Sequence, residues 1–147
     1  MTGKEFKDLE KEFCDYETSV ALKELGFREK CPTYYDTEDN VGLLYNTQWA
    51  LDNTPYQFTD CLESHNAYEG NSYVDAPTMW ETQKWLREEI DIIVYPEKNS
   101  FGWYCAIHNN IGKVHQFKYS EEYNTYEEAL LEGIKEAVKI LKEENND

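Results

Sequence analysis

The sequence predicts an α+β fold: a single domain over residues 1–147, with helices packed on a small antiparallel sheet. Three observations predict it. Leu130, Ile134, Ala137, Val138 and Leu141 recur at helical spacing behind a Thr125/Glu128 capping box. Residues 91–119 contain alternating apolar and polar positions of the kind strands require. Ahead of them, Asp75-Ala76-Pro77-Thr78 places an acid and a proline where a helix begins. A chain of 147 residues is long enough to bury the core that such a fold needs.

Taken in order, residues 4–13 put Phe6, Leu9 and Phe13 at helical spacing among charges, a short amphipathic segment. A helix is expected from Tyr16 to Leu25, with Asp15 as its cap and Gly26 as its left-handed stop, after which Phe27 packs back. Thr33-Tyr34-Tyr35 reads as a short strand ended by the polar stretch Asp36 to Asn40. From Gly42 to Tyr73 periodicity fades among Asn46, Asn53-Thr54-Pro55, Asn66 and Gly70-Asn71-Ser72, so residues 42–73 read as an irregular acidic and aromatic insertion. The next helix should run from Pro77 to about Glu89 with Met79, Gln83, Leu86 and Ile90 inward. Trp80 and Trp85 then fall on opposite flanks, about 100 and 120 degrees from that stripe. Strands are expected at Asp91–Tyr95, Phe101–Ile107 and Ile111–Tyr119, the last two joined by a turn at Asn109-Asn110. Phe101, Trp103, Cys105 and Ile107 share the predicted core face.

Charge is the most distinctive property. Between Lys30 and Lys84 there is no Lys or Arg, and residues 31–75 hold eight acids, half of the net charge of −16. The same stretch carries Tyr34, Tyr35, Tyr45, Trp49, Tyr56, Phe58, Tyr68 and Tyr73. An acidic, aromatic surface of this kind repels phosphate and anionic lipid and suits a basic partner. No apolar run approaches the roughly 20 residues of a membrane span, and no basic leader precedes an apolar segment, so a cytoplasmic location is expected. Cys14, Cys31, Cys61 and Cys105 are spaced like neither a disulfide framework nor zinc knuckles, and reduced thiols are expected.

From Pro77 onward the order helix, three strands, helix is the topology of the double-stranded-RNA-binding fold and of small antitoxin-like modules. That parallel is architectural, and the final helix sets Lys135, Lys139 and Lys142 against an excess of acids, which excludes direct RNA binding on electrostatic grounds. Two segments, Ala76-Pro77-Thr78-Met79-Trp80-Glu81-Thr82-Gln83-Lys84-Trp85-Leu86-Arg87-Glu88 and Tyr126-Glu127-Glu128-Ala129-Leu130 with Gly133-Ile134-Lys135-Glu136-Ala137, join the early Leu25-Gly26-Phe27 helix end in a further likeness. Together they resemble small uncharacterised proteins of Bacteroidetes gut bacteria and their phages and prophages. The resemblance covers both ends of the chain and implies a phage or mobile-element accessory protein in a bacterial cytoplasm. It carries no activity and hence no catalytic residue.

Catalytic chemistry finds little to build on. Cys61 with His65 and Cys105 with His108 can be drawn as a zinc site, but residues 105 and 108 point to opposite faces of a regular strand. Cys105 could pair with His115 as nucleophile and base across a hairpin, yet an apolar strand face raises a thiol pKa and makes it inert. Glu88-Glu89 and Glu121-Glu122 are ordinary neighbours among 30 acids, and neither a phosphate loop nor a nucleophile elbow is present. No cofactor and no metal are expected. The sequence therefore predicts a non-enzymatic protein that binds a basic host protein, as inhibitor or nucleic-acid mimic, through Tyr34, Tyr35, Asp36, Glu38, Asp39, Trp49, Asp60, Trp80 and Trp85. The competing expectation is a small-ligand binder whose aromatic pocket forms over Trp80 and Trp85.

Overall fold

A computed structural model of the chain describes residues 10–39, 42–45, 64–67, 70–111 and 116–145. It is an α+β protein whose chain divides into two compact units, Met1–Thr78 and Met79–Asp147.

In the first unit, helix α1 spans Tyr16–Glu24. Asp15 caps it, its Oδ1 accepting the Thr18 N–H at 2.9 Å. Gly26, at φ 102°, ends it, and the fully buried Phe27 returns its N–H to the Leu22 carbonyl. Three short strands follow: β1 at Thr33–Asp36, β2 at Leu44–Tyr45 and β3 at Tyr73–Asp75. They form an antiparallel sheet in the order β2-β1-β3. β2 lies within the stretch 42–73, where periodicity fades, and β3 begins at its last residue. The pleat sends Thr33, Tyr35 and Val74 to one side, where Tyr35 donates its hydroxyl to the Cys14 carbonyl at 3.1 Å and meets the Tyr16 ring of α1 edge-on. Tyr34, Asp36, Tyr73 and Asp75 take the other side.

On that other side a short 3₁₀ turn, His65–Ala67, is tied to β3 by a reciprocal pair. The Asn66 N–H donates to Asp75 Oδ2 and the Asp75 N–H donates to Asn66 Oδ1, both at 2.9 Å. Asn66 Nδ2 reaches the Phe27 carbonyl at 3.0 Å, so the buried Asn66 side chain ties the turn both to β3 and to the end of α1.

The second unit runs helix, three strands, helix, in the predicted order. Helix α2 covers Met79–Trp85 and continues as a π-helical turn, Leu86–Ile90, rather than as α-helix to Glu89. The Asp91 N–H closes that turn on the Leu86 carbonyl, with Asp91 in the left-handed region at φ 71°. Strands β4 (Ile92–Asn99), β5 (Gly102–Asn109) and β6 (Gln116–Tyr119) form an antiparallel meander. A tight turn at Ser100-Phe101, between paired Asn99 and Gly102, joins β4 to β5, while Asn109, expected in the turn from β5 to β6, is the last residue of β5 and its Oδ1 accepts the Ile111 N–H at 3.0 Å. Asn99 explains the tight turn: its Oδ1 accepts the N–H groups of both Phe101 and Gly102, and Gly102 adopts φ 148°. Phe101 is thereby placed in the turn and is 85% exposed, which corrects its assignment to the core face. The connection from β5 to β6 falls partly on residues 112–115, outside the described residues.

Helix α3, Tyr126–Asn145, lies on β4 and β5. Thr125 Oγ1 accepts the Glu128 N–H at 3.1 Å, and Ala129, Leu130, Ile134, Ala137, Val138 and Leu141 are buried as the apolar stripe requires. These meet Ile92, Val94, Cys105 and Ile107 from one face of the sheet, each buried Leu, Ile or Val contributing about 1.5–3 kcal/mol. Closest approach is at Gly133, where a Cβ would overlap Cys105 Sγ.

Candidate functional site

The predicted partner-binding residues are sorted by the pleat and by the helix phase. On β1, Tyr34 and Asp36 share the face of Tyr73, with the Tyr34 and Tyr73 rings edge-to-face at 5.0 Å. Tyr35 points the other way, toward α1, and its hydroxyl is committed to the Cys14 carbonyl, so it does not share that surface. Asp36 Oδ1 accepts the Glu38 N–H at 3.0 Å, a turn that holds Glu38 and Asp39 exposed at the strand end. Thr37 closes the same end, its N–H and hydroxyl both donating to the Ser72 carbonyl at 2.8 Å. Half-buried ring and exposed carboxylates are thus held together by backbone geometry. The nearby Lys23 is tied down, its Nζ donating to the Tyr73 carbonyl at 2.9 Å. Trp49 and Asp60 lie outside the described residues.

Trp80 and Trp85 belong to the second unit and separate from each other. Trp80 is 44% exposed, whereas Trp85 is 8% exposed and faces the interior. The inward arc of α2 runs through Met79, Thr82, Trp85 and Leu86, rotated toward Trp85 from the stripe expected from Met79, Gln83, Leu86 and Ile90. Two polar side chains explain the rotation. Thr82 is fully buried, and Gln83, half-buried at the flank, donates its amide to the Val94 carbonyl at 2.7 Å. A partner can therefore reach Trp80 but not Trp85 in this conformation.

Of the catalytic arrangements drawn from the sequence, the described residues place Cys105 and His108. Cys105 is fully buried, and burial pushes its thiol up to about 12 against a smaller lowering by a backbone hydrogen bond. At neutral pH it is a core thiol and a poor nucleophile. The strand register sets Ser120 beside it: the Cys105 N–H donates to Ser120 Oγ at 2.8 Å and the Ser120 N–H returns to the Cys105 carbonyl at 2.9 Å. His115 and Cys61 lie outside the described residues. His108 projects to the opposite face of β5 from Cys105 and bonds the Tyr95 hydroxyl at 3.0 Å. Among the described residues no group of three or more His, Cys, Asp or Glu side chains is placed to hold a metal ion.

Sequence reasoning missed the other parity of the meander. Tyr95 on β4, Tyr104 and His108 on β5, and Phe117 and Tyr119 on β6 share the face opposite α3. Phe117 and Tyr119 are 47% and 57% exposed. The signal is present as Tyr104, Ala106 and His108 at period two, beside Phe117 and Tyr119 at the same period, but the stronger apolar alternation of the core face hides it. Comparison of the chain with protein-family models, with curated proteins and with solved structures finds no match in any of the three.

Proposed function

We propose that this chain is a non-enzymatic binding protein whose partner is a protein with a basic surface. The observation that carries the reading is the end of β1, where Tyr34 and Asp36 share a face with Tyr73 and the Asp36 turn holds Glu38 and Asp39 exposed. Rings supply contact area at low conformational cost, and carboxylates supply attraction and orientation toward Lys and Arg. The exposed ring of Trp80 offers a second contact. The run without any Lys or Arg between Lys30 and Lys84 keeps the sequence around these residues free of competing cations. The resemblance of both chain ends to phage and prophage proteins of Bacteroidetes supports a setting in a bacterial cytoplasm, where spaced carboxylates would act as an inhibitor or as a mimic of nucleic-acid phosphates. Among the described residues no helix is long and apolar enough to cross a membrane.

The test is affinity capture from a bacterial lysate with the wild-type chain and with a Glu38→Lys/Asp39→Lys variant. Both residues are exposed and the capping carboxylate of Asp36 is left in place, so the fold is retained. The expected result is a basic protein held by the wild-type chain and lost with the variant. Equal retention by both chains would refute the electrostatic reading. A small molecule recovered without any protein would instead favour a ligand-binding chain.

A further inference from the structure

The face of the β4-β5-β6 sheet turned away from α3 carries a continuous aromatic array. Tyr95 stacks on His108 with centroids 5.6 Å apart, and His108 meets Phe117 at 4.2 Å. Phe117 meets Tyr119 at 4.5 Å, and Tyr119 meets Tyr104 at 5.5 Å. The register explains the closure. Ala106 pairs with Tyr95 on one side and Tyr119 on the other, with Tyr104 and His108 two residues away along its own strand. Five rings therefore surround one methyl group, and Ala106 lies fully buried beneath them. At the rim Glu97 accepts a hydrogen bond from the Tyr104 hydroxyl, leaving its remaining lone pairs for another donor.

Charge decides what such a face can take. The sheet's two described lysines both turn to the α3 side. Lys98 sits over the Trp103 ring at 5.7 Å, and Lys118 pairs with Glu136 at 2.6 Å. On the described residues of β4, β5 and β6 that bear this face, Glu97 is the only carboxylate and no Lys or Arg stands with it, while Glu122 accepts the Asn99 amide at 3.3 Å at the turn end of the sheet. Nucleic-acid bases could stack on these rings, but their phosphates would meet Glu97 and a chain of net charge −16. A guanidinium satisfies both features at once: its plane stacks on aromatic faces and its fork of N–H donors matches a carboxylate.

We propose that this sheet face binds an extended, arginine-bearing peptide segment of a partner protein, with one guanidinium on the Tyr104–Tyr119–Phe117 rings and held by Glu97. The surface belongs to the second unit and is independent of the acidic end of β1. Calorimetric titration with the hexapeptide Gly-Arg-Gly-Arg-Gly-Arg, its lysine counterpart and a uridine hexanucleotide tests it at low ionic strength. The arginine peptide should bind about threefold or more tightly than the lysine peptide, reflecting stacking as well as charge. Glu97→Gln and Phe117→Ala/Tyr119→Ala should each weaken it by about threefold or more. Glu143→Gln, which removes the same charge from the exposed end of α3, should leave it unchanged. Phe117 and Tyr119 are exposed, and the amide introduced by Glu97→Gln keeps an acceptor for the Tyr104 hydroxyl, so circular dichroism should show all variants folded. Equal affinity for the two peptides, an equal effect of Glu143→Gln and Glu97→Gln, or preference for the oligonucleotide would each overturn the proposal.

Discussion

Replacing Gly133 by Ala tests the packing of the second unit at its tightest point. Mid-helix, the substitution alone should stabilise α3 by about 1 kcal/mol, because glycine loses more backbone freedom on folding than alanine. The added methyl, however, would overlap Cys105 Sγ and approach Cys105 Cβ to 2.9 Å, while standing at an ordinary 3.7 Å from Val94 Cβ. Relaxing the carbon–carbon contact to about 3.7 Å requires the helix to lift from β5 by roughly 0.8 Å unless the thiol rotates away. Overpacking of this kind costs about 1–3 kcal/mol, so a net loss of up to about 2 kcal/mol is expected. Urea unfolding followed by circular dichroism should show a lower midpoint. In a Cys105→Gly background both clashing atoms are gone, and the same Gly133→Ala change should become neutral or stabilising. The difference between backgrounds is a coupling free energy, which isolates this contact from the separate cost of glycine in a strand. A Gly133→Ala variant more stable than wild type, or the same shift in both backgrounds, would refute the argument.

Three further expectations follow from local geometry. Asp91→Gly should be neutral or slightly stabilising at φ 71°, whereas Asp91→Val should lower stability by about 1–3 kcal/mol, since a β-branched residue tolerates that conformation poorly; thermal unfolding compares them. Thr125→Ala should cost about 1 kcal/mol by removing the acceptor for the Glu128 N–H, read from the same unfolding experiment. The Tyr104 hydroxyl is pushed up from 10.0 to about 12, first by its hydrogen bond to Glu97 and then by burial. Its contribution to stability is therefore fully present below pH 10 and fades as pH rises toward 12; a tyrosinate absorbance titration should lose a tyrosine that ionises above the ordinary range in Tyr104→Phe.

What the sequence made legible follows strict local rules. Asp15, Gly26, Thr125 and the stripe of α3 act within one or two turns of chain, and all take their expected roles. The misplacements arise where a long-range choice competes with a local one. The turn from β4 to β5 is not legible because its signal is a side chain, Asn99, whose Oδ1 satisfies two N–H groups that the Ser100-Phe101 loop would otherwise leave open. Strand parity puts Phe101 on the core face, and that turn expels it. Helical phase taken from apolar spacing puts Trp85 on the flank, because it takes no account of a buried Thr82 or of the Gln83 amide bonding a strand carbonyl. At the candidate surface the run without cations is plain in the sequence. The division of Tyr34 from Tyr35 is not, since it depends on which side of β1 receives α1.

The π-helical turn at Leu86–Ile90 has a bearing on how this fold can change length. Such a turn closes its hydrogen bond over one more residue than an α-helical turn, so it absorbs a residue that a regular helix would not need. A single-residue deletion there can revert to α-helix and be taken up before Ile92. The same deletion inside β5 would shift every later side chain of the strand to the opposite face, exchanging Cys105 and Ile107 with Ala106 and His108. Indel tolerance in the second unit should therefore be greatest at the junction between α2 and β4 and least within β5, a contrast that a deletion scan scored by soluble expression would read out.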